Sequence, residues 1–156
     1  MLGRMYVDEN CSIARALELV GERWSLLIIR NAMFAGTTRF ADFQRSLGVA
    51  PNILTARLDG FVAAGLMRRR GYAKSPERFE YLLTDKGYDL KPVILALAEF
   101  GDRWAAPDGP PIVFEHEDCG GAVHPQVVCE CCGKVGDVKV RTRPGSGMVA
   151  SAGKES

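Results

Sequence analysis

The stretch that most restricts what this chain can become runs from Phe40 to Gly65, where two helical periods meet across a very short turn. Phe40, Phe43 and Leu47 recur at helical spacing, and Gly48-Val49 then makes a tight turn. Pro51 opens the next helix at a position where its missing N–H costs nothing. Leu54, Leu58 and Phe61 form the inward face of this second helix, and Gly65 is its natural C-cap. Turning by about 100° per residue, Asn52, Thr55, Ala56, Asp59 and Ala63 fall on the opposite, solvent side.

The flanking segments supply the rest of one domain. Ser12 to Val20 places Ile13, Ala16, Leu17 and Val20 on one helical face, and Gly21 can end it. Glu22 to Met33 carries Trp24, Leu26, Leu27, Ile28, Ile29 and Ala32, apolar around much of its circumference, which predicts a buried central helix. After Gly65 comes a basic strand, Met67 to Tyr72, then a turn, Ala73-Lys74-Ser75-Pro76-Glu77, then a second strand, Arg78 to Leu83. A last helix begins near Thr84, a plausible N-cap, and shows Leu90, Val93, Ile94, Leu97, Phe100 and Trp104 at helical spacing, with Pro92 predicting a kink.

The seam Ala105-Ala106-Pro107-Asp108-Gly109-Pro110-Pro111 cannot continue a helix and marks a linker. The expected division is therefore a domain over 1–106, a linker over 107–111, a small cysteine-bearing segment over 112–140 and a Gly/Ser/Ala-rich, frayed tail over 141–156. The fold class is α+β, mainly helical. With 156 residues, 47% hydrophobic and 25% charged, the chain can bury one ordinary core. Nothing at Met1 to Cys11 reads as a signal-peptide core, and no apolar run approaches membrane-spanning length, so the expected location is the cytoplasm.

Net charge is +1, which taken whole argues against a polyanion partner. Position reverses that reading. Residues 1–106 hold 15 basic against 12 acidic side chains, 107–156 hold 5 against 7, and 39–78 alone hold 8 against 3. Two helices joined by a three- or four-residue turn, the second with a small-residue polar face, form the helix-turn-helix arrangement for reading a major groove. A basic hairpin directly after it can reach flanking phosphates, giving a winged helix. In this reading Pro51 begins the recognition helix and Asn52 is placed for adenine or the backbone. Thr55 meets a base edge or phosphate, and Ala56 leaves room for close approach or packs a thymine methyl. Arg39, Arg45, Arg57, Arg68, Arg70, Lys74 and Arg78 are candidate backbone contacts. Strand alternation sends Arg69 away from Arg68 and Arg70. A structural salt bridge at Arg57, or a merely solvated strand at Arg68 to Arg70, are the blander alternatives.

The stretch Cys11 to Trp104 resembles the HxlR family of bacterial winged-helix transcriptional regulators. The resemblance rests on Cys11, Ala14-Arg15-Ala16-Leu17, Gly21 to Arg30, Arg39-Phe40-Ala41-Asp42-Phe43, Leu54-Thr55-Ala56-Arg57-Leu58, Ala64-Gly65-Leu66 and Pro76 to Gly87. It implies a homodimer bound to double-stranded DNA, with outer helices joining the subunits and two recognition helices in successive major grooves. Repression is the expected outcome, with a small molecule or oxidant as candidate effector. Some members of the family sense oxidants through an N-terminal cysteine, which makes Cys11 a candidate redox sensor. A position just ahead of the first helix favours a reactive thiol. The alternative is a small apolar side chain at the subunit interface.

Four of five cysteines lie beyond the seam. His116-x2-Cys119-Gly120 and Cys129-x2-Cys132-Gly133 repeat one device, two donors followed by a glycine, at the overall spacing His-x2-Cys-x9-Cys-x2-Cys. This predicts a closed, tetrahedral, structural Zn2+ site in a zinc-ribbon-like segment, with His116, Cys119, Cys129 and Cys132 as ligands and Cys131 or His124 as possible replacements. A thiol oxidoreductase built on Cys129-x-x-Cys132 is the rival, weakened by the lack of a thioredoxin-like unit around it. A protein that keeps the fold but acts as an adaptor without binding DNA is a third reading. No catalytic constellation is visible: two histidines, no phosphate loop and no paired carboxylates in a motif, so the chain is not expected to be an enzyme.

Overall fold

A computed structural model describes residues 10–74, 76–136 and 140–146. Met1 to Glu9, Ser75 of the expected hairpin turn, the end of the cysteine-bearing segment at 137–139 and the tail from 147 onward lie outside the described residues. None of the described helices is long and apolar enough to cross a membrane.

Six helices and two small hairpins follow in the order α1 (Ser12–Val20), α2 (Ser25–Phe34), α3 (Phe40–Leu47), α4 (Pro51–Ala63), β1 (Met67–Lys74), β2 (Glu77–Leu83), α5 (Asp85–Tyr88), α6 (Lys91–Trp104), β3 (Val128–Cys129) and β4 (Gly133–Lys134). The core is Ile28 and Ile29 of α2, Phe43 of α3, Val49 of the turn, Leu54, Leu58 and Phe61 of α4, Leu66 and Met67 entering the hairpin, Tyr81 and Ile94. α2 is the central wall, as its nearly all-round apolar sequence predicts. It touches α3, β2 and α6.

The turn between α3 and α4 works through two details. Gly48 ends α3 with φ +65°, a left-handed conformation that side chains disfavour, and its N–H bonds to the Gln44 carbonyl at 2.9 Å. Val49 is buried, so the turn itself contributes to the core. α4 ends in a Schellman arrangement: Leu66 N–H bonds the Phe61 carbonyl at 2.9 Å and Gly65 N–H that of Val62 at 3.1 Å, with Gly65 at φ +71°.

β1 and β2 pair antiparallel from Met67↔Leu83 to Lys74↔Glu77, with an irregularity between Gly71 and Ala73. A single bridge from Arg39 to Glu80, and a hydrogen bond from Tyr81 N–H to the Thr38 carbonyl at 2.7 Å, tie the segment before α3 to this hairpin.

One expectation fails here. Pro92 does not kink one long helix. The Thr84-capped helix stops at Tyr88, and Pro92 stands in the first turn of a separate α6, where its absent N–H is unneeded. The apolar face of α1 is only partly covered: Val20 is buried, but Ile13 is 71% and Leu17 47% exposed. On α6 the stripe Val93, Leu97, Phe100 and Trp104 is likewise exposed.

Candidate nucleic-acid interface

α4 is held by its apolar face, so its outer face is fixed in direction. Asn52, Thr55, Ala56 and Asp59 are all exposed on it, as the periodicity predicts. Pro51 stands at the first turn and is exposed. Thr55 Oγ1 donates to the Pro51 carbonyl at 2.9 Å, which turns its methyl outward and fixes the hydroxyl rotamer.

The hairpin is braced to α4 from below. Arg69 forms an ion pair with Asp59 of α4, and its guanidinium lies 5.6 Å from the Phe79 ring and 5.7 Å from the Tyr81 ring. Thr84 is a second brace, since its hydroxyl donates to the Gly65 carbonyl at 2.6 Å and accepts from Gly87 N–H at 3.3 Å, while Lys86 Nζ donates to the Ala64 carbonyl at 2.7 Å. The carbonyls of Ala64 and Gly65, just past the end of α4, are therefore satisfied by the segment after the hairpin. On α2, Asn31 is buried; it accepts from Arg30 at 2.8 Å and donates to Ser46 of α3 at 3.0 Å.

The structure divides the predicted cations into two groups. Arg39 pairs with Glu80 at 3.5 Å and stacks 4.6 Å from the Tyr72 ring centroid. Arg70 pairs with the same carboxylate at 2.7 Å, and Arg45 with Asp42 at 3.1 Å. Glu80 is held below the ordinary carboxylate value, first by the Arg70 hydrogen bond, which outweighs the opposing effect of burial, and then by the charges of Arg70 and Arg39 and the Arg39 hydrogen bond. By contrast Arg57, Arg68, Lys74 and Arg78 enter no salt bridge among the described residues, and of these only Arg57 is half-buried. Among the described residues, therefore, Arg57 has no structural salt bridge. Sequence reasoning missed Glu80, whose signal was an acid placed opposite Arg70 in the strand register, and Asp59, read only as a solvent-facing residue.

These elements form a helix-turn-helix with a braced two-stranded wing, and the HxlR-like helix-turn-helix pattern matches residues 19–109. The chain belongs to the HxlR-like helix-turn-helix family. An HxlR-like chain of this kind is a transcriptional regulator that binds DNA. Among its relatives is the uncharacterized HTH-type transcriptional regulator Rv3095 of Mycobacterium tuberculosis, 44% identical over 144 residues, which are 91% of this chain and 90% of that one. Another is the uncharacterized HTH-type regulator sll1512 of Synechocystis, 33% identical over 95 residues, 60% of this chain and 70% of that one. Of solved structures, PA1607, described as a candidate transcription factor, matches with TM-score 0.78 and 37% identity over 91% of this chain and all of that one. The redox regulator HypR in its reduced form matches with TM-score 0.55 and 29% identity over 60% of this chain and 92% of that one. The HxlR-like pattern ends at 109, whereas the similarity to Rv3095 and PA1607 extends into the segment beyond.

That segment docks on the domain. Phe114 packs against Phe34 of α2 with ring centroids 4.8 Å apart. A cleft of about 400 Å³ lies between α6 and the segment, lined among others by Leu95, Glu99, Arg103, Phe114, His124 and Pro125. The predicted metal donors fall into two pairs. His116 Nδ1 lies 3.4 Å from Cys119 Sγ. Cys129 is held below the ordinary thiol value by the backbone N–H groups of Cys132 and Cys131 and by the Cys132 side chain. Among the described residues no three of His, Cys, Asp and Glu gather around one point, so the predicted four-ligand cluster is not assembled. Cys131 and His124 are exposed, and Cys11 is a half-buried free thiol at the N-cap of α1.

Proposed function

We propose that this regulator acts as a homodimer on a pseudo-palindromic operator and represses transcription. α4 enters the major groove, and the β1–β2 wing follows the flanking backbone. The observation that carries the reading is the exposed face of α4, Asn52, Thr55 and Ala56, flanked by Arg57, Arg68, Lys74 and Arg78, cations that enter no salt bridge among the described residues. Small side chains there let the helix approach base edges, and the cations supply the sequence-independent attraction. The exposed apolar residues Ile13 and Leu17 of α1 and Leu97, Phe100 and Trp104 of α6 support self-association, since a face of that size left in water favours an isologous partner. Cys11 would make the dimer responsive to oxidants; HypR, a relative in fold, is described as a redox regulator in reduced and oxidised forms.

Gel-shift and footprinting on the DNA upstream of its own gene test the reading. The expected result is a protected, two-fold related site, lost in the Asn52→Ala/Thr55→Ala double variant while its melting temperature stays unchanged. A folded dimer without sequence-specific binding at moderate salt would refute it, and retained binding by the double variant would move recognition off α4.

A further inference from the structure

The DNA-binding reading does not use the segment after residue 109, which carries its own chemistry. We propose that His116, Cys119, Cys129 and Cys132 take up one zinc ion per chain, and that this ion closes two hairpins into a single structural unit.

The two halves share a backbone plan. In the first, a bridge between Glu115 and Ala122 brackets the donors, Gly120 N–H bonds the His116 carbonyl at 2.8 Å, and Gly120 adopts φ +68°. In the second, the β3–β4 pairing of Cys129 with Gly133 brackets the donors, and Gly133 adopts φ +79°. The left-handed glycine after the second donor lets each loop fold back on itself.

The first pair already has the spacing of two ligands on one ion. Zinc bonds of about 2.3 Å to sulfur and 2.0 Å to nitrogen, at a tetrahedral angle, separate the two donors by about 3.5 Å. The His116 Nδ1 to Cys119 Sγ distance is 3.4 Å. On the far side of the same ring, His116 Nε2 lies 3.7 Å from the Asp118 carboxylate. Nδ1 is thus the ring nitrogen that faces the cysteine sulfur.

Beyond the Phe114–Phe34 contact and its hairpin hydrogen bonds the segment has little cohesion of its own. None of the described residues between 105 and 146 is buried, and Ile94 is the last buried one among the described residues. A polypeptide of this length without a core is held by cross-links or metal. Three thiolates and one imidazole select zinc over magnesium or calcium, which prefer oxygen. The nine residues 120–128 between the pairs leave ample chain for the second hairpin to swing onto the first.

The test is metal analysis of the full chain purified under reducing conditions, together with cobalt titration of metal-stripped protein. Expected are one zinc per chain and the intense visible absorption of tetrahedral cobalt with thiolate charge-transfer bands. Cys119→Ser and Cys129→Ser should each lower zinc to well below half an equivalent, while Cys131→Ser, His124→Ala and Cys11→Ser keep it at one. The winged-helix melting transition reports whether each variant is folded, and the wild-type cobalt spectrum does not depend on any variant. Absence of zinc and of a tetrahedral cobalt spectrum would overturn the proposal. So would loss of zinc in Cys131→Ser with retention in Cys129→Ser, or turnover of a disulfide substrate by a metal-free Cys129–Cys132 pair. None of these readouts involves DNA, so the result is independent of the regulator reading.

Discussion

Glu80→Gln is the most informative single change for the DNA-binding face, because one carboxylate holds two of the candidate phosphate contacts. In the structure Arg39 and Arg70 both converge on Glu80, whose side chain is only 13% exposed, while their own are 53% and 58% exposed. An amide keeps the shape but removes the charge, so both guanidinia lose their ionic partner without losing their place on the wing. Released counterions set the salt dependence of DNA affinity at about −0.9 in log–log slope per phosphate neutralised. Two extra cations per protomer, four for a dimer, therefore steepen the slope by up to about 3.6, and a fourfold rise in salt then costs up to about 150-fold more affinity than in wild type. Fluorescence anisotropy on operator and on unrelated DNA, from low to moderate salt, measures this, with tighter binding to both DNAs expected at low salt. Thermal melts establish that the wing is intact. An unchanged slope in a folded Glu80→Gln dimer would refute the reasoning, since it would mean that Arg39 and Arg70 do not face the phosphates. Adding Arg70→Ala should remove about half of the extra slope.

Two further outcomes follow from the same brace. Gly87→Ala would place a Cβ 2.3 Å from the Leu66 carbonyl oxygen, which already accepts from Thr84 N–H at 3.1 Å, and 2.8 Å from Leu83 Cδ2; overpacking of this kind costs about 1–3 kcal/mol, or roughly 5–20 °C in Tm for a domain of this size. Gly60→Ala, in the interior of α4 with open space around it, should instead raise Tm slightly, and equal Tm values for the two would contradict the packing at Leu66. As for pH, Glu80 has a folded value below its ordinary 4.5, so its contribution to stability is full above that value and is lost as pH falls through the lower, folded one. Melting curves of wild type and Glu80→Gln should differ at neutral pH and converge as pH falls through the lowered folded value; a constant gap would show that the carboxylate does not titrate with folding.

Much of the fold is local in origin and so was readable. Leu54, Leu58 and Phe61 repeat at helical spacing, and Pro51, Gly48 and Gly65 act through backbone geometry that needs no distant partner. The interruption at Asp89–Leu90 was not legible, because Pro92 is compatible with either a kinked helix or a new first turn, and tertiary contacts of Gly87 and Ile94 decide between them. The exposure of Ile13 and Leu17 was hidden for a related reason: periodicity identifies an apolar face but not what covers it. At the candidate site, α4 alone determines which way Asn52, Thr55 and Ala56 point. The cations were harder, since pairing across 10 residues for Arg69–Asp59 and Arg70–Glu80, or 41 for Arg39–Glu80, depends on strand register and helix placement. Composition gave 8 basic residues over 39–78; the structure ties up Arg39, Arg45, Arg69 and Arg70, leaving half of them for phosphate.

The central helix connects these features. α2 presents Asn31 to Ser46 of α3, its apolar side to α6 and β2, and Phe34 to Phe114 of the C-terminal segment. α3 sits on the helix-turn-helix turn, and α6 carries the exposed stripe ending at Trp104. The C-terminal segment therefore touches the same helix that meets α3 through Asn31 and Ser46. It also lines α6 at Leu95, Glu99 and Arg103, next to the stripe of Leu97 and Phe100. Any change in how that segment packs reaches the DNA-reading face only by shifting α2 or by altering how α6 meets a second copy. Because α2 is nearly all core and resists small displacement, α6 is the softer of the two routes.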